Sequence, residues 1–211
     1  MILKIGKIKW AFFLPILVIL LFLFLKFVPL PDVFQKLDTS IFYFVNHSLK
    51  NKFLDYIMPI ITEIKNWRIP FGLIWLGLLI WGGKKGRHFV ILSAFTLLLS
   101  DQFSSHILKD YFARIRPSDC LKDANVLVGY GSYSFPSSHA VNMFAITSLI
   151  LYFYRKVGYF FIFLACTVGF SRLYVGVHYP FDVFGGAIIG VSIALIMIVF
   201  YEVIILRKNE K

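Results

Sequence analysis

Long apolar blocks separated by short polar clusters set the pattern of this chain. Runs at 10–30, 67–82, 88–108, 139–154, 157–170 and 183–206 are predominantly apolar, and a helix of roughly 20 such residues crosses a bilayer. The pattern predicts six transmembrane helices. The run at 67–82 is marginal, because only 69–82 is free of charge, so Trp67 and Arg68 must help it at the interface. Residues 53–64 are also apolar, but they hold Asp55, Pro59 and Glu63 and are not assigned as a span.

Between the first two runs the period changes. Phe34, Leu37, Ile41, Phe44 and Val45 recur at helical spacing among Gln35, Lys36, Asp38, Asn46 and Lys50. This predicts an amphipathic helix over 32–50, opened by Asp32 and Gln35 as a cap pair. Such a helix either lies on the membrane surface or packs as an ordinary helix on neighbouring spans.

Composition agrees with this layout. Hydrophobic residues make up 59% of the 211 and charged residues only 16%, where a soluble domain carries about 25% charge. The chain therefore reads as an all-α integral membrane protein with a single membrane-embedded domain, 1–211. Its net charge of +11 is too scattered among apolar runs for a nucleic-acid face. Cys120 lies in a polar loop and Cys166 mid-span, which does not suggest a disulfide framework. Lys4, Lys7 and Lys9 precede an apolar run too long for a signal peptide, with no small-residue cleavage site after it. That run is a retained first span, with Lys26 snorkelling at its far end. Basic residues concentrate in the turns at 82–87 and 155–156 and in both tails, where Arg207, Lys208 and Lys211 close the chain. The concentration places both termini in the cytoplasm.

Chemistry-bearing residues fall in two stretches. Ser171 to Gly186 sets Arg172, His178 and Asp182 between apolar runs. A carboxylate four residues beyond a histidine can hold one ring nitrogen and leave the other basic. A juxtamembrane turn in water would explain the same residues. The loop of 109–138 opens with Lys109, Arg114, Arg116 and Pro117 and closes with Pro136, Ser137, Ser138 and His139, directly before an apolar helix. Backbone N–H groups and hydroxyls at a helix start form an anion site, although Ser137 could simply cap the helix. Two spans separate the stretches, so both reach the same membrane face. Asp101, about 12 Å deeper than Lys109 at helical rise, needs a partner inside the bundle.

Three signatures carry a resemblance. They are Lys109 followed after six residues by Arg116-Pro117, then Pro136-Ser137-Ser138-His139, then Ser171-Arg172 with His178 and Asp182 beyond. Together, over a motif core of 109–182, the chain resembles the membrane-bound type 2 phosphatidic acid phosphatases, kin to bacterial acid phosphatases and vanadium haloperoxidases. The resemblance implies His178 as nucleophile, forming a phosphohistidine, with Asp182 orienting it. It implies His139 as the acid that protonates the leaving group, and Lys109, Arg116, Arg172, Ser137 and the Ser138 N–H as phosphate ligands. Ser138 departs from the family, which usually has glycine there, so a side chain borders the pocket.

The residue pattern and the resemblance together imply a metal-free, cofactor-free lipid phosphatase at the outer (periplasmic) face of a bacterial plasma membrane. Its expected partners are membrane lipids and a lipid-phosphate substrate, with no nucleic acid. Undecaprenyl diphosphate, phosphatidylglycerophosphate, phosphatidic acid and lipid A 1-phosphate all fit. A non-catalytic lipid-phosphate binder or translocator on the same fold is the alternative, and bound-vanadate haloperoxidase chemistry suits a chain this short less well.

Overall fold

The computed structural model describes residues 5–28, 31–131 and 133–203. The elements are α1 (Ile5–Leu25), α2 (Asp32–Tyr43), α3 (Lys52–Thr62), α4 (Arg68–Trp81), α5 (Gly83–Gln102), α6 (Lys109–Phe112), α7 (Pro117–Cys120), α8 (Ser138–Phe153), α9 (Arg155–Tyr174) and α10 (Pro180–Tyr201). Two π-helical segments, Phe44–Ser48 and Phe103–Leu108, continue α2 and α5. Each predicted apolar run coincides with one of α1, α4, α5, α8, α9 or α10. Three stretches, Gly83–Cys120, Arg155–Tyr174 and Pro180–Tyr201, are long and apolar enough to cross a membrane, and Phe13–Leu25, Arg68–Trp81 and Ser138–Phe153 are shorter apolar helices.

The bundle is built around α8, which packs on α5, α9 and α10. Small residues let α8 and α10 approach closely. A Cβ on Gly186 would come 2.8 Å from the Ser137 carbonyl oxygen, and one on Gly190 would come 2.2 Å from that of Val141. The two helices therefore meet backbone to backbone, as small-residue contacts in membranes allow. Leu92, Ala145, Leu149, Ala194 and Ile198 fill the core at the far end of this contact.

Several boundaries differ from the sequence pattern. The basic turn shrinks to Gly82 and Gly83, the latter at φ +59°, and Lys84, Lys85 and Arg87 sit in the first turn of α5. The third helix does not stop at residue 108. Its π segment carries it into α6, so Lys109 is helical. The fifth run extends through Ser171 and Arg172, which lie in the last turn of α9. The last run ends at Tyr201 as an α-helix, and its predicted end at Leu206, like Lys4, Arg207, Lys208 and Lys211, lies outside the described residues.

The helix at 32–50 departs furthest. It is α-helical only to Tyr43, and Pro31, rather than an Asp32–Gln35 pair, precedes it without any side-chain cap. Phe34, Leu37, Ile41 and Phe44 are exposed, whereas Asp38 and Asn46 are completely buried with Phe42. Most of the expected apolar face thus looks away from the protein, with Val45 buried as the exception, and Asp38 and Asn46 point inward. Asn46 donates to the carbonyls of Asn125 and Tyr174 and accepts from the Asn125 N–H. These bonds staple the long loop to the end of α9, and they replace the ladder a loop lacks. Asp101 accepts from Asn142 Nδ2 at 3.1 Å, which supplies its partner in the bundle. Cys120 and Cys166 are both free and exposed.

Gly190→Ala should lower stability by about 1–3 kcal/mol, since a methyl would meet a backbone oxygen that cannot yield cheaply. Gly72→Ala, where nothing lies within 4 Å, should not. Thermal unfolding of the two purified variants in detergent checks the contrast.

Candidate active site

The start of α10 organises the site. Tyr179 is extended, Pro180 pre-sets the first helical turn, and Asp182 reaches back to the Tyr179 N–H at 2.8 Å in a capping box. Asp182 has no solvent exposure. Its Oδ1 accepts from Arg114 at 2.6 Å, and its Oδ2 also accepts from Ser134 Oγ at 2.5 Å. His178 Nδ1 stands 3.5 Å from Oδ2 and 3.4 Å from Ser134 Oγ. The carboxylate is thus held from three segments at once.

His178 is 1% exposed, and burial pushes its imidazole well below the ordinary histidine value, with Arg172 and Arg116 acting in the same direction against the Asp182 contact. The ring is therefore neutral at pH 7. Its Nε2 lies 3.3 Å from an Arg116 N–H. A guanidinium can only donate, so Nε2 carries the lone pair and the proton sits on Nδ1, facing Asp182 and Ser134.

The cations gather on the other side of that ring. Arg116 is buried in the loop, donating to the carbonyls of Gly131 at 2.9 Å and Val177 at 2.8 Å. Arg172 donates to Thr62 Oγ1 at 2.6 Å. Lys109 Nζ donates to the Tyr133 carbonyl at 2.7 Å. The charges of Lys109, Arg116 and Arg172 act on one another. Arg114 is paired with both Asp38 and Asp182, whereas Lys109, Arg116 and Arg172 make no salt bridge among the described residues and are left to meet an anion such as phosphate.

The start of α8 borders the same cluster. Ser137 is at the N-cap position, yet its hydroxyl makes no capping bond, so simple capping does not explain it. Its N–H donates to the Asp182 carbonyl at 3.0 Å. Among the described residues, Ser137 Oγ and Arg172 Nε are two of four buried side-chain polar atoms without a partner. Such groups call for an acceptor. Ser138 Oγ accepts from Ser105 Oγ at 2.9 Å, so its extra side chain is tied to the π segment after α5. His139 follows in the first turn, hydrogen-bonded to the backbone of Thr62.

All eight residues singled out from the sequence (Lys109, Arg116, Ser137, Ser138, His139, Arg172, His178 and Asp182) therefore lie at one end of the bundle. Four more were not. Arg114, Asp38, Ser134 and Thr62 each bond a member of the set or a residue that does. Arg114 was visible inside the first signature, and Ala113, in the left-handed region at φ 49°, turns the chain there. Nothing local marks Asp38 or Thr62.

Residues 90–205 match the PAP2 superfamily. The chain belongs to that superfamily. A lipid A 4'-phosphatase of Bacteroides thetaiotaomicron is 32% identical over 75% of this chain and 74% of its own length. The undecaprenyl-diphosphatase BcrC of Bacillus subtilis is 29% identical over 73% of this chain and 78% of its own. The crystal structure of a transmembrane PAP2-type phosphatidylglycerolphosphate phosphatase from Bacillus subtilis superposes with a TM-score of 0.68. It has 25% identity over 90% of this chain and 96% of that one. The PAP2 match takes in every residue of the three signatures, but Asp38 and Thr62 precede it.

Thr62→Val keeps the side-chain shape and removes the acceptor for Arg172. A charge-assisted hydrogen bond contributes about 1.5–3 kcal/mol, so orthovanadate, a phosphate mimic, should bind at least about tenfold more weakly. Its inhibition constant measures this, and an unchanged value would show that Arg172 needs no such support.

Proposed function

We propose that this membrane lipid phosphatase hydrolyses the phosphate or diphosphate monoester of an envelope lipid through a phosphohistidine at the outer face of a bacterial plasma membrane. One observation carries the reading: a buried, neutral His178 holds its Nε2 lone pair beside Arg116, in the same cluster as the unpartnered Ser137 Oγ and Arg172 Nε. The relatives support the lipid part. By name they act on lipid A, undecaprenyl diphosphate and phosphatidylglycerol phosphate.

The proposed steps use the groups gathered there. Lys109, Arg116, Arg172 and Ser137 hold the three non-bridging oxygens, where charge spreads in the transition state. His178 Nε2 attacks phosphorus as the bond to the leaving oxygen breaks. His139 gives that oxygen its proton. The Nδ1 proton stays on the ring, stabilised by Asp182 as positive charge develops. His139 then takes a proton from water, whose oxygen attacks phosphorus and breaks the P–N bond. Phosphate leaves and His178 is free again. The cations supply the electrostatic stabilisation a metal ion would otherwise give.

The proposed topology has six spans and both termini in the cytoplasm. Lys84, Lys85, Arg87, Arg155 and Lys156 support it, because they gather at the end of the bundle away from the site. Lys85 Nζ lies 4.7 Å from the Tyr154 ring, which brings the two basic turns together. At 14 residues, α4 spans about 21 Å, so it crosses a bilayer core of roughly 30 Å only with interfacial help.

His178→Ala should remove turnover by several orders of magnitude, and Asp182→Asn should cost less, since it misorients the ring without deleting it. Phosphate release from a panel of lipid phosphates, with EDTA present, measures both. Acid-labile, base-stable label retained on His178→Ala would exclude it as the nucleophile.

Sidedness has its own test. In a background lacking Cys120 and Cys166, Asp123→Cys should react with an impermeant thiol reagent on intact spheroplasts and Lys85→Cys should not. The reverse pattern would put the site in the cytoplasm.

A further inference from the structure

Arg114 does something other than bind phosphate. Its guanidinium is a fork with both tines occupied: NH1 donates to Asp182 Oδ1 at 2.6 Å and NH2 to Asp38 Oδ2 at 2.5 Å. The plane of the fork lies over the Tyr179 ring, 4.3 Å from its centroid. A bidentate, stacked arginine is fixed in orientation as a lysine would not be. Asp38, in turn, is not a surface carboxylate. It is fully buried, and its other oxygen accepts from the Phe181 N–H at 2.8 Å, at the start of α10. The carboxylate of α2 therefore grips α10 twice, once through a backbone N–H and once through Arg114.

We infer that Asp38 and Arg114 are positioning residues, through which α2 sets the orientation of Asp182 and hence of the His178 ring. This rests on the reading of His178 as the nucleophile. Asp182 Oδ2 faces His178 only while Oδ1 is held elsewhere. The donor that holds it is Arg114, since Ser134 and the Tyr179 N–H both use Oδ2. Without Arg114, Oδ1 would be a buried, unsatisfied acceptor, and the carboxylate would rotate or take up a proton to relieve it. Without the Asp38 charge, Arg114 would keep only its Asp182 partner and the fork would lose its fixed orientation. In both cases Nδ1 of His178 loses a fixed acceptor, while the phosphate ligands Lys109, Arg116, Arg172 and Ser137 stay in place.

The two roles open to these residues differ in what they change. A phosphate ligand alters substrate affinity. A purely structural brace alters stability alone. A positioning pair alters the chemical step and is coupled to the residue it positions.

The experiment uses the purified full-length protein with dioleoyl phosphatidic acid in mixed micelles and orthovanadate as inhibitor. Asp38→Asn should lower kcat by about tenfold and Arg114→Gln by about 100-fold, of the order that loss of a supporting partner costs elsewhere. KM and the vanadate inhibition constant should stay within about twofold. Asp38→Asn should cost nothing more in the Arg114→Gln background, nor Arg114→Gln in the Asp182→Asn background. Arg114→Lys, which keeps the charge without the fork, should fall between wild type and Arg114→Gln. If Arg114→Gln does not fold, Asp38→Asn and Arg114→Lys carry the comparison. The ¹⁵N shifts of the labelled His178 imidazole give a readout without turnover: a single Nδ1–H form in wild type and mixed tautomers in Arg114→Gln. Additive losses, unchanged kcat, or a change confined to KM and vanadate affinity would overturn the inference. An inactive wild type would instead count against the phosphatase reading, and the tautomer shift would still decide the positioning role.

Discussion

A carboxylate sealed from water has to be satisfied by the protein, and Asp182 is the one this structure is arranged around. A buried, unpaired charge is among the most destabilising features a fold can contain. Here Arg114, Ser134, the Tyr179 N–H and His178 close around it, and its own backbone carbonyl accepts the Ser137 N–H. Those donors come from the loop after α6, the approach to α8 and the turn between α9 and α10. Satisfying a single charge therefore gathers the three signatures in space.

The close approach of α8 and α10 serves the same end. Gly186 lets the Ser137 carbonyl come within touching distance of the start of α10, so the anion-facing end of α8 and the His178 turn cannot drift apart. A buried polar site needs a rigid apolar frame, because a hydrogen bond lost there leaves a group unsatisfied. Leu108, Val141, Ile189 and Ile193 supply that frame directly beneath the site.

Much of this was legible in the sequence. The apolar blocks marked the helices, and the residue types at 109–116, 136–139 and 171–182 marked the side chains that gather at one end of the bundle. What escaped was held by long-range pairing. Asp38 lies 76 residues from Arg114 and Thr62 lies 110 from Arg172, and no local pattern reports a partner so distant. The helix expected over 32–50 formed, as α2 and its π continuation, but which way it faces was not legible. Periodicity shows that one face is apolar, but not whether that face meets protein or lipid. Asp38 and Asn46 belonged to the polar face, and they are its most buried members because their partners lie inside. The third helix overran its expected end where the π segment Phe103–Leu108 carried the chain on into α6.

The outward face of α2 has a consequence for how rate should be counted. Val33, Phe34, Leu37 and Ile41 form an exposed apolar rim on the helix that carries Asp38. For the proposed lipid substrate, anchored by hydrocarbon, encounter past such a rim would happen in two dimensions. Substrate abundance would then be a surface density, a mole fraction among neighbouring lipids, and diluting the membrane with inert lipid would slow the enzyme even when the bulk molarity is unchanged.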